Sequence, residues 1–386
     1  MNLGTAQVIR GNALALPLAD NSVDLCVSSP PYWSLRSYQD GGAHYEGQIG
    51  SEETSDEFLD ALLGAMRECI RVTKPTGSIF FNLGDKYLPN KSLALLPERF
   101  RIRVADEIGL IARAVIVWSK PNGLPESVTD RVRRSHEDWM HFTLSPRYFS
   151  AVDEIREAHE HPELAKRGRI VKPVASDLLN ECYSDRAGNN PLGKLPGSVW
   201  VVPTEPLRVP DHLGIDHFAA FPTAWPKRII QGWSPSGVCV ECGEGRRPVA
   251  EHTEEWAAYK AEHGLGDYMA DGQRHQALGV RRSQTTVPIP AGGKHRITGY
   301  ACACPNPTAP TTPSVILDPF GGTGTTALVA KALGRHGITV DMSADYCRLA
   351  EWRTNDRDQL AKVLGIPKAD TPTDNDQLDL FTEESA

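Results

Sequence analysis

Val315-Ile316-Leu317-Asp318-Pro319-Phe320-Gly321-Gly322-Thr323-Gly324-Thr325-Thr326 is the stretch that decides the fold. Three apolar residues run into an acid, a glycine-rich turn follows, and Thr325 to Leu333 then carries a helical pattern. Strand, turn and helix in that order suit a nucleoside ligand. Glycines let backbone approach it closely, and a helix N-terminus offers free N–H groups. A second strand, Gly337 to Val340, leads to Asp341 about 20 residues on, where a carboxylate can bond the two hydroxyls of a ribose. The plain alternative is a tight turn that uses glycine for backbone reasons alone. It leaves the second acid unexplained.

Outward from this unit the same alternation recurs. Ser22 to Ser28 reads as a short buried strand running into Ser29-Pro30-Pro31-Tyr32, which no strand or helix interior accommodates. Phe58 to Val72 has apolar residues at helical spacing. Lys74-Pro75-Thr76-Gly77 is expected to turn the chain before a strand over Ser78 to Leu83. Ile102 to Leu110 and then Ala112 to Trp118 repeat helix and strand. The pattern predicts an α/β domain with a mostly parallel sheet and helices on both faces. Residues 151 to 198, polar and charged, and 234 to 312, which hold four of the eight cysteines, interrupt it as insertions.

The 386 residues are 40% hydrophobic, enough for a sizeable core, and no run of about 18 apolar residues occurs. The first thirty residues lack the order of a secretory signal, so a cytoplasmic protein with its cysteines as thiols or metal ligands is expected. The net charge of −8 argues against nucleic acid, but residues 369 to 386 carry six acids and no Lys or Arg, leaving −2 for the rest. Basic clusters then stand out at Arg99, Arg101 and Arg103, at Arg131, Arg133 and Arg134, and at Lys166, Arg167, Arg169 and Lys172. Pairs stand at Arg246 and Arg247 and at Arg281 and Arg282. Taken singly, each is an ordinary solvated face.

Ser29-Pro30-Pro31-Tyr32 suits an exocyclic amino group of a base, a poor nucleophile because its lone pair is delocalised into the ring. A serine hydroxyl and a proline carbonyl can each accept one of its hydrogens. Tyr32 can stack on the extruded base, and the two prolines stiffen the loop. Standing alone, a Pro-Pro pair after a strand is a rigid turn.

With both motifs present, the chain resembles the β-class DNA amino-methyltransferases, in which the catalytic motif precedes the cofactor motif. The resemblance covers most of residues 7 to 355. It runs through SPPYWSLRSY, GSIFFNLGDKY (77 to 87), WSKPNGLPESVTDRVRRSHE (118 to 137), LSPRYF (144 to 149) and HFAAFPTAWPKRII (217 to 230). It implies a Rossmann-like methyltransferase fold of permuted motif order, with the ligands at the carboxyl ends of adjacent strands. By the resemblance, Asp318, Phe320, Gly321, Gly322 and Gly324 line an S-adenosylmethionine site, Asp341 holds its ribose, and Phe221 and Pro222 sit beside its methionine end. Ser29, Pro30 and Tyr32 receive the target base of duplex DNA. Methyl transfer is a direct displacement with no covalent enzyme intermediate and no catalytic metal. Serine at the first position favours cytosine N4. Adenine N6 is the alternative, and a catalytically idle DNA- or clamp-binding adaptor that keeps the fold is another.

Cys239 and Cys242 have the spacing of a zinc knuckle, and Cys302 and Cys304 form a tighter second pair. Four thiolates suit structural zinc, with unligated cysteines as the alternative; Cys26, Cys69, Cys182 and Cys347 read as packing residues. In the acidic tail, Gln377, Leu378, Leu380 and Phe381 belong to an apolar pentapeptide that looks like a sliding-clamp ligand. The expected organisation is a catalytic half (1–150), a target-recognition insertion (151–198), a return to the core (199–233), a cysteine-containing insertion (234–312), a cofactor half (313–365) and a tail without regular structure (366–386).

Overall fold

The computed structural model describes residues 3–34, 39–40, 43–44, 47–123, 125–158, 192–215, 220–262, 295–302, 304–306 and 308–366. Strand β1 (Thr5–Arg10) is followed by β2 (Val23–Ser28), whose six residues are all buried, as befits a strand covered on both faces. The short β3 (Gln39–Asp40) and β4 (Ala43–His44) pair with each other. Helix α1 (Ser55–Val72) begins before the apolar pattern does, because Thr54 and Glu57 close a reciprocal capping box over its first N–H groups.

β5 (Thr73–Leu83) follows α1 directly, which corrects the expected turn at Lys74-Pro75-Thr76-Gly77. Those residues lie inside the strand, where the register against β2 shifts between Val23 and Leu25. Such an irregularity is where a strand tolerates a proline, which has no N–H to donate. Lys74 Nζ is held there 2.7 Å from Asp24 Oδ1. Helix α2 (Leu96–Arg103) starts and stops earlier than the expected Ile102 to Leu110. It runs into a π-helical turn, Val104–Ile108, closed by Gly109 at φ 82°.

β6 (Ile111–Ser119), β7 (His136–Thr143) and β8 (Val199–Val201) complete one side of the sheet, and α3 (Ala224–Trp233) packs beneath it. The second insertion holds β9 (Val238–Cys239), β10 (Arg247–His252), α4 (Glu254–Glu262), β11 (His295–Ala301) and β12 (Thr311–Thr312). The chain then returns through β13 (Val315–Asp318), α5 (Thr325–Ala332), β14 (His336–Asp341), α6 (Ala344–Asn355) and α7 (Arg357–Leu364).

Eight strands form one sheet in the order β1-β14-β13-β2-β5-β7-β6-β8. Pairing is parallel from β1 to β5 and between β6 and β8, and antiparallel on both sides of β7. The mostly parallel sheet is therefore as expected. Successive residues of a strand face opposite ways, and the two cores show it. Cys26, Ile79 and Phe81 pack with Phe58, Leu62 and Phe100 on one face. Val27 and Phe80 pack with Trp139, Trp225 and Leu328 on the other.

The cysteine-containing insertion leaves the core at Ser234 and returns at Ser314, whose hydroxyls meet at 2.8 Å, so its neck is closed. Lys166, Arg167, Arg169, Lys172, Cys182, Arg281, Arg282 and the 377–381 peptide lie outside the described residues. Among the described residues no helix is long and apolar enough to cross a membrane.

Candidate active site

β13 and β2 are parallel neighbours, with Ile316 opposite Leu25 and Leu317 opposite Cys26, so both motifs leave the same edge of the sheet side by side. A side-chain bond ties them: Ser28 Oγ donates to Asp318 Oδ1 at 2.5 Å. Asp318 also accepts from Thr326 Oγ1 at 2.9 Å and from the Phe320 N–H at 3.1 Å. It is 1% exposed. Burial pushes its carboxyl up to about 6, against the pull of those three hydrogen bonds.

A raised folded pKa means that this group's contribution to stability is full below its unfolded pKa, about 4, and is lost as pH rises through about 6. For a shift of two units the loss is about 3 kcal/mol. Asp318→Asn does not titrate. Denaturant unfolding of both proteins across this range should show wild type losing about 3 kcal/mol relative to the variant as pH rises from about 4 to about 7. A difference that does not change with pH overturns this account of Asp318.

The glycine loop is held from several directions. The Gly321 N–H donates to Val340 O at 2.8 Å, and a Cβ at Gly321 would lie 1.6 Å from Thr339 Oγ1. Gly324, at φ 71°, caps α5 without a side chain, which leaves the helix's first N–H groups uncovered by one. Gly322, at φ 48°, faces open space; the nearest atom to a Cβ there is Phe320 O at 3.9 Å. Asp341 Oδ2 accepts from the Gly322 N–H at 2.8 Å and Oδ1 from the Ser343 N–H at 2.9 Å. The acid read as a ribose ligand is thus also a loop anchor. A carboxylate has about four acceptor positions, and these two bonds use one on each oxygen.

Arg353 escaped the sequence reading. It is 3% exposed and donates to Thr323 Oγ1 at 2.7 Å and Thr325 Oγ1 at 2.6 Å, pinning the far side of the loop. Burial draws its pKa down to about 10, so it stays charged near neutral pH.

On the SPPY side, Pro30 is buried, and Ser29 Oγ lies 3.5 Å from the Tyr32 hydroxyl. The Tyr32 ring rests against backbone, since a Cβ at Gly84 would meet its Cε2 at 2.6 Å. Gly50, at φ 101°, backs Pro31 and the Tyr32 carbonyl in the same way. The Tyr32 hydroxyl donates to Glu137 Oε2 at 2.8 Å, and Lys120 Nζ donates to Glu137 Oε1. Asn82 Nδ2 lies 2.9 Å from both Tyr32 OH and Glu137 Oε2, and 3.4 Å from Ser29 Oγ.

Among the described residues Asn82 Oδ1 is buried with no hydrogen-bond partner, a condition that costs about 1–3 kcal/mol. Asn82, Lys120 and Glu137 stood in the blocks quoted above without a role. The available signal was a polar Asn82 inside the apolar run Ser78 to Leu83.

Phe221 and Pro222 lie at the entry to α3. Phe221 sits edge-on to Trp139 at 5.5 Å, and Pro222 O accepts from the Trp225 N–H at 3.1 Å. Phe320 instead reaches across to Phe81 at 6.4 Å, joining the glycine loop to β5. Of the basic clusters, Arg103 is paired with Asp60 and Glu107, and Arg131 with Glu126.

In the second insertion, the thiol sulfurs of Cys239, Cys242, Cys302 and Cys304 all lie within 4.8 Å of one another. Tetrahedral zinc with Zn–S of about 2.3 Å sets sulfurs about 3.8 Å apart, so the set needs only a small closure. Backbone N–H groups of Cys242 and Glu241 bring the Cys239 thiol down to about 7, whereas burial and the neighbouring Cys239 push Cys242 up to about 11 and Cys304 upward as well. Cys26, Cys69 and Cys347 are buried in the core, as expected of packing residues.

A family model described as DNA methylase matches residues 23–240 and 309–352, more than half of the chain. The chain is 34% identical over 168 residues to the type II methyltransferase M.SfiI of Streptomyces fimbriatus, which covers 39% of this chain and 38% of the relative. It is 27% identical over 271 residues to M.SmaI of Serratia marcescens, covering 62% and 80%, and 33% identical over 241 residues to M.Cfr9I of Citrobacter freundii, covering 51% and 79%. Among solved structures, the fold is similar to that of PvuII DNA methyltransferase, described as cytosine-N4-specific, at a TM-score of 0.54 and 16% identity. That match covers 94% of this chain and 93% of the other.

Proposed function

The chain belongs to the DNA methylase family of N6 and N4 amino-methyltransferases, and from that membership we propose that it methylates the exocyclic N4 of cytosine in duplex DNA, with S-adenosylmethionine as donor. The observation that carries the reading is the Ser28 to Asp318 bond, which sets the SPPY loop and the glycine loop side by side on one sheet edge. Donor and acceptor pockets must adjoin for a methyl group to pass between them.

S-adenosylmethionine, when bound, supplies an electrophilic methyl group. The open face at Gly322 and the uncapped start of α5 fit a polar ligand of that size. Asp318, Phe320, Gly321, Gly322, Gly324 and Asp341 hold it in this reading. Ser29 and the Pro30 carbonyl accept from the amino group of a flipped base, and Tyr32 stacks on the ring. Serine at the first position supports cytosine over adenine. The four cysteines of the second insertion take a structural zinc, closed to water and apart from the chemistry. The 377–381 peptide keeps its reading as a clamp ligand on sequence alone.

The test is to express the chain in a host without DNA methylation and sequence its genome by a method that separates N4-methylcytosine from N6-methyladenine. Methylcytosine at one short motif is the expected result. Methyladenine moves the assignment to N6, and no modified base from folded, S-adenosylmethionine-binding protein overturns the reading.

A further inference from the structure

We propose that Glu137 is a positioning residue for methyl transfer, acting through a one-way hydrogen-bond chain that makes Ser29 an acceptor. The inference rests on the methyltransferase reading, since it concerns the same base pocket.

Among the described residues Glu137 meets only donors. Oε2 receives the Tyr32 hydroxyl at 2.8 Å and the Asn82 amide at 2.9 Å, and Oε1 receives Lys120. A carboxylate is acceptor-only, so it satisfies all three donors at once. Because the Tyr32 proton is committed to Glu137, the Tyr32 oxygen faces Ser29 as an acceptor. The Ser29 proton turns towards it, and beside the lone pair that meets the Asn82 amide at 3.4 Å the second is left for a hydrogen of the incoming amino group. Distances rank the contacts. Those to Glu137 are short, whereas Ser29 lies 3.5 Å from Tyr32 and 3.4 Å from Asn82. The carboxylate therefore decides where Tyr32 and Asn82 sit, and Ser29 follows.

Position in the fold supports the assignment. Glu137 stands on β7 opposite Trp118 of β6, two residues before Lys120, while Asn82 stands on β5 opposite Trp139. The clamp thus links β5, β7 and the residue that follows β6, away from β13 and β14, which lead into and out of the glycine loop. A glutamine at 137 keeps the shape but turns an N–H towards Lys120 or Tyr32. The Tyr32 proton is then free to turn to Ser29 and occupy the acceptor site.

The experiment uses the purified full chain, radiolabelled S-adenosylmethionine and unmethylated genomic DNA. Glu137→Gln is expected to lower kcat about 10- to 100-fold, the scale of a misdirected reacting group, with KM for S-adenosylmethionine and Tm unchanged. Tyr32→Phe, which keeps the ring and removes the hydroxyl, should lower kcat similarly, and the double variant should be no slower than the slower single one. A folded Glu137→Gln with wild-type kcat overturns the proposal. So do losses that multiply in the double variant, or a fall in Tm and a rise in KM that accompany the fall in kcat. Should Glu137→Gln not fold, Tyr32→Phe decides, and an unchanged kcat overturns the chain. Wild-type protein that transfers no methyl group to DNA overturns the methyltransferase reading, and this inference with it.

Discussion

Replacing Gly321 with alanine will remove the protein's thermal response to S-adenosylmethionine. The Cβ would lie 1.6 Å from Thr339 Oγ1 and 2.9 Å from Thr339 Cβ, so rotating the threonine relieves only part of the clash. Thr339 is fully buried in the middle of β14, whose neighbours β1 and β13 hold it on both sides. The loop must yield instead. Its bonds from Gly321 to Val340 and from Gly322 to Asp341 are the ones that break. Overpacking of this kind costs about 1–3 kcal/mol. A ligand at about 100 times its Kd stabilises by about 2.7 kcal/mol, and that increment should vanish. Thermal unfolding with and without S-adenosylmethionine reads both effects. A full wild-type response in Gly321→Ala means that the loop does not hold the donor.

Removing metal from the second insertion should be the other large change. Purified protein is expected to carry one zinc per chain, measured by atomic emission. Cys239→Ser should lower that content and the Tm together, because structural zinc contributes folding free energy outright. The loss should concentrate in the insertion. Cys239 lies in β9, paired with β12, next to the Ser234 and Ser314 neck, while the central sheet has its own cores. Methyl transfer at a temperature where the core stays folded is expected to survive, since four thiolates leave no open position for catalysis. Metal-free protein with an unchanged Tm on Cys239→Ser defeats the zinc assignment.

Much of this was legible in the chain itself. Buried parallel strands are continuous apolar runs, and β2, β13 and β14 announced themselves so. Gly321 to Gly324 marked a turn that only glycine serves well. Local chemistry misled at Lys74 to Gly77, where proline and glycine signal a turn. The strand instead carries them through a register shift opposite Asp24. The tight spacing of Cys302 and Cys304 left unligated cysteines as the alternative to zinc, and the fold gathers all four sulfurs within 4.8 Å. Sequence spacing measures one chain segment, whereas ligand geometry is set by two.

The sequence by itself determined the strand-loop-helix units, the two motifs and the order in which they occur, because period and turn chemistry act over a few residues. Only the tertiary structure decided which groups meet. The Ser28 to Asp318 bond spans 290 positions and Tyr32 to Glu137 spans 105. The loop bonds of Asp341, the buried Arg353 under the loop and the meeting of Glu137 with Tyr32, Asn82 and Lys120 depend on strand order and register. Those are set by burying both faces of one sheet at once, a condition that no local window of sequence contains.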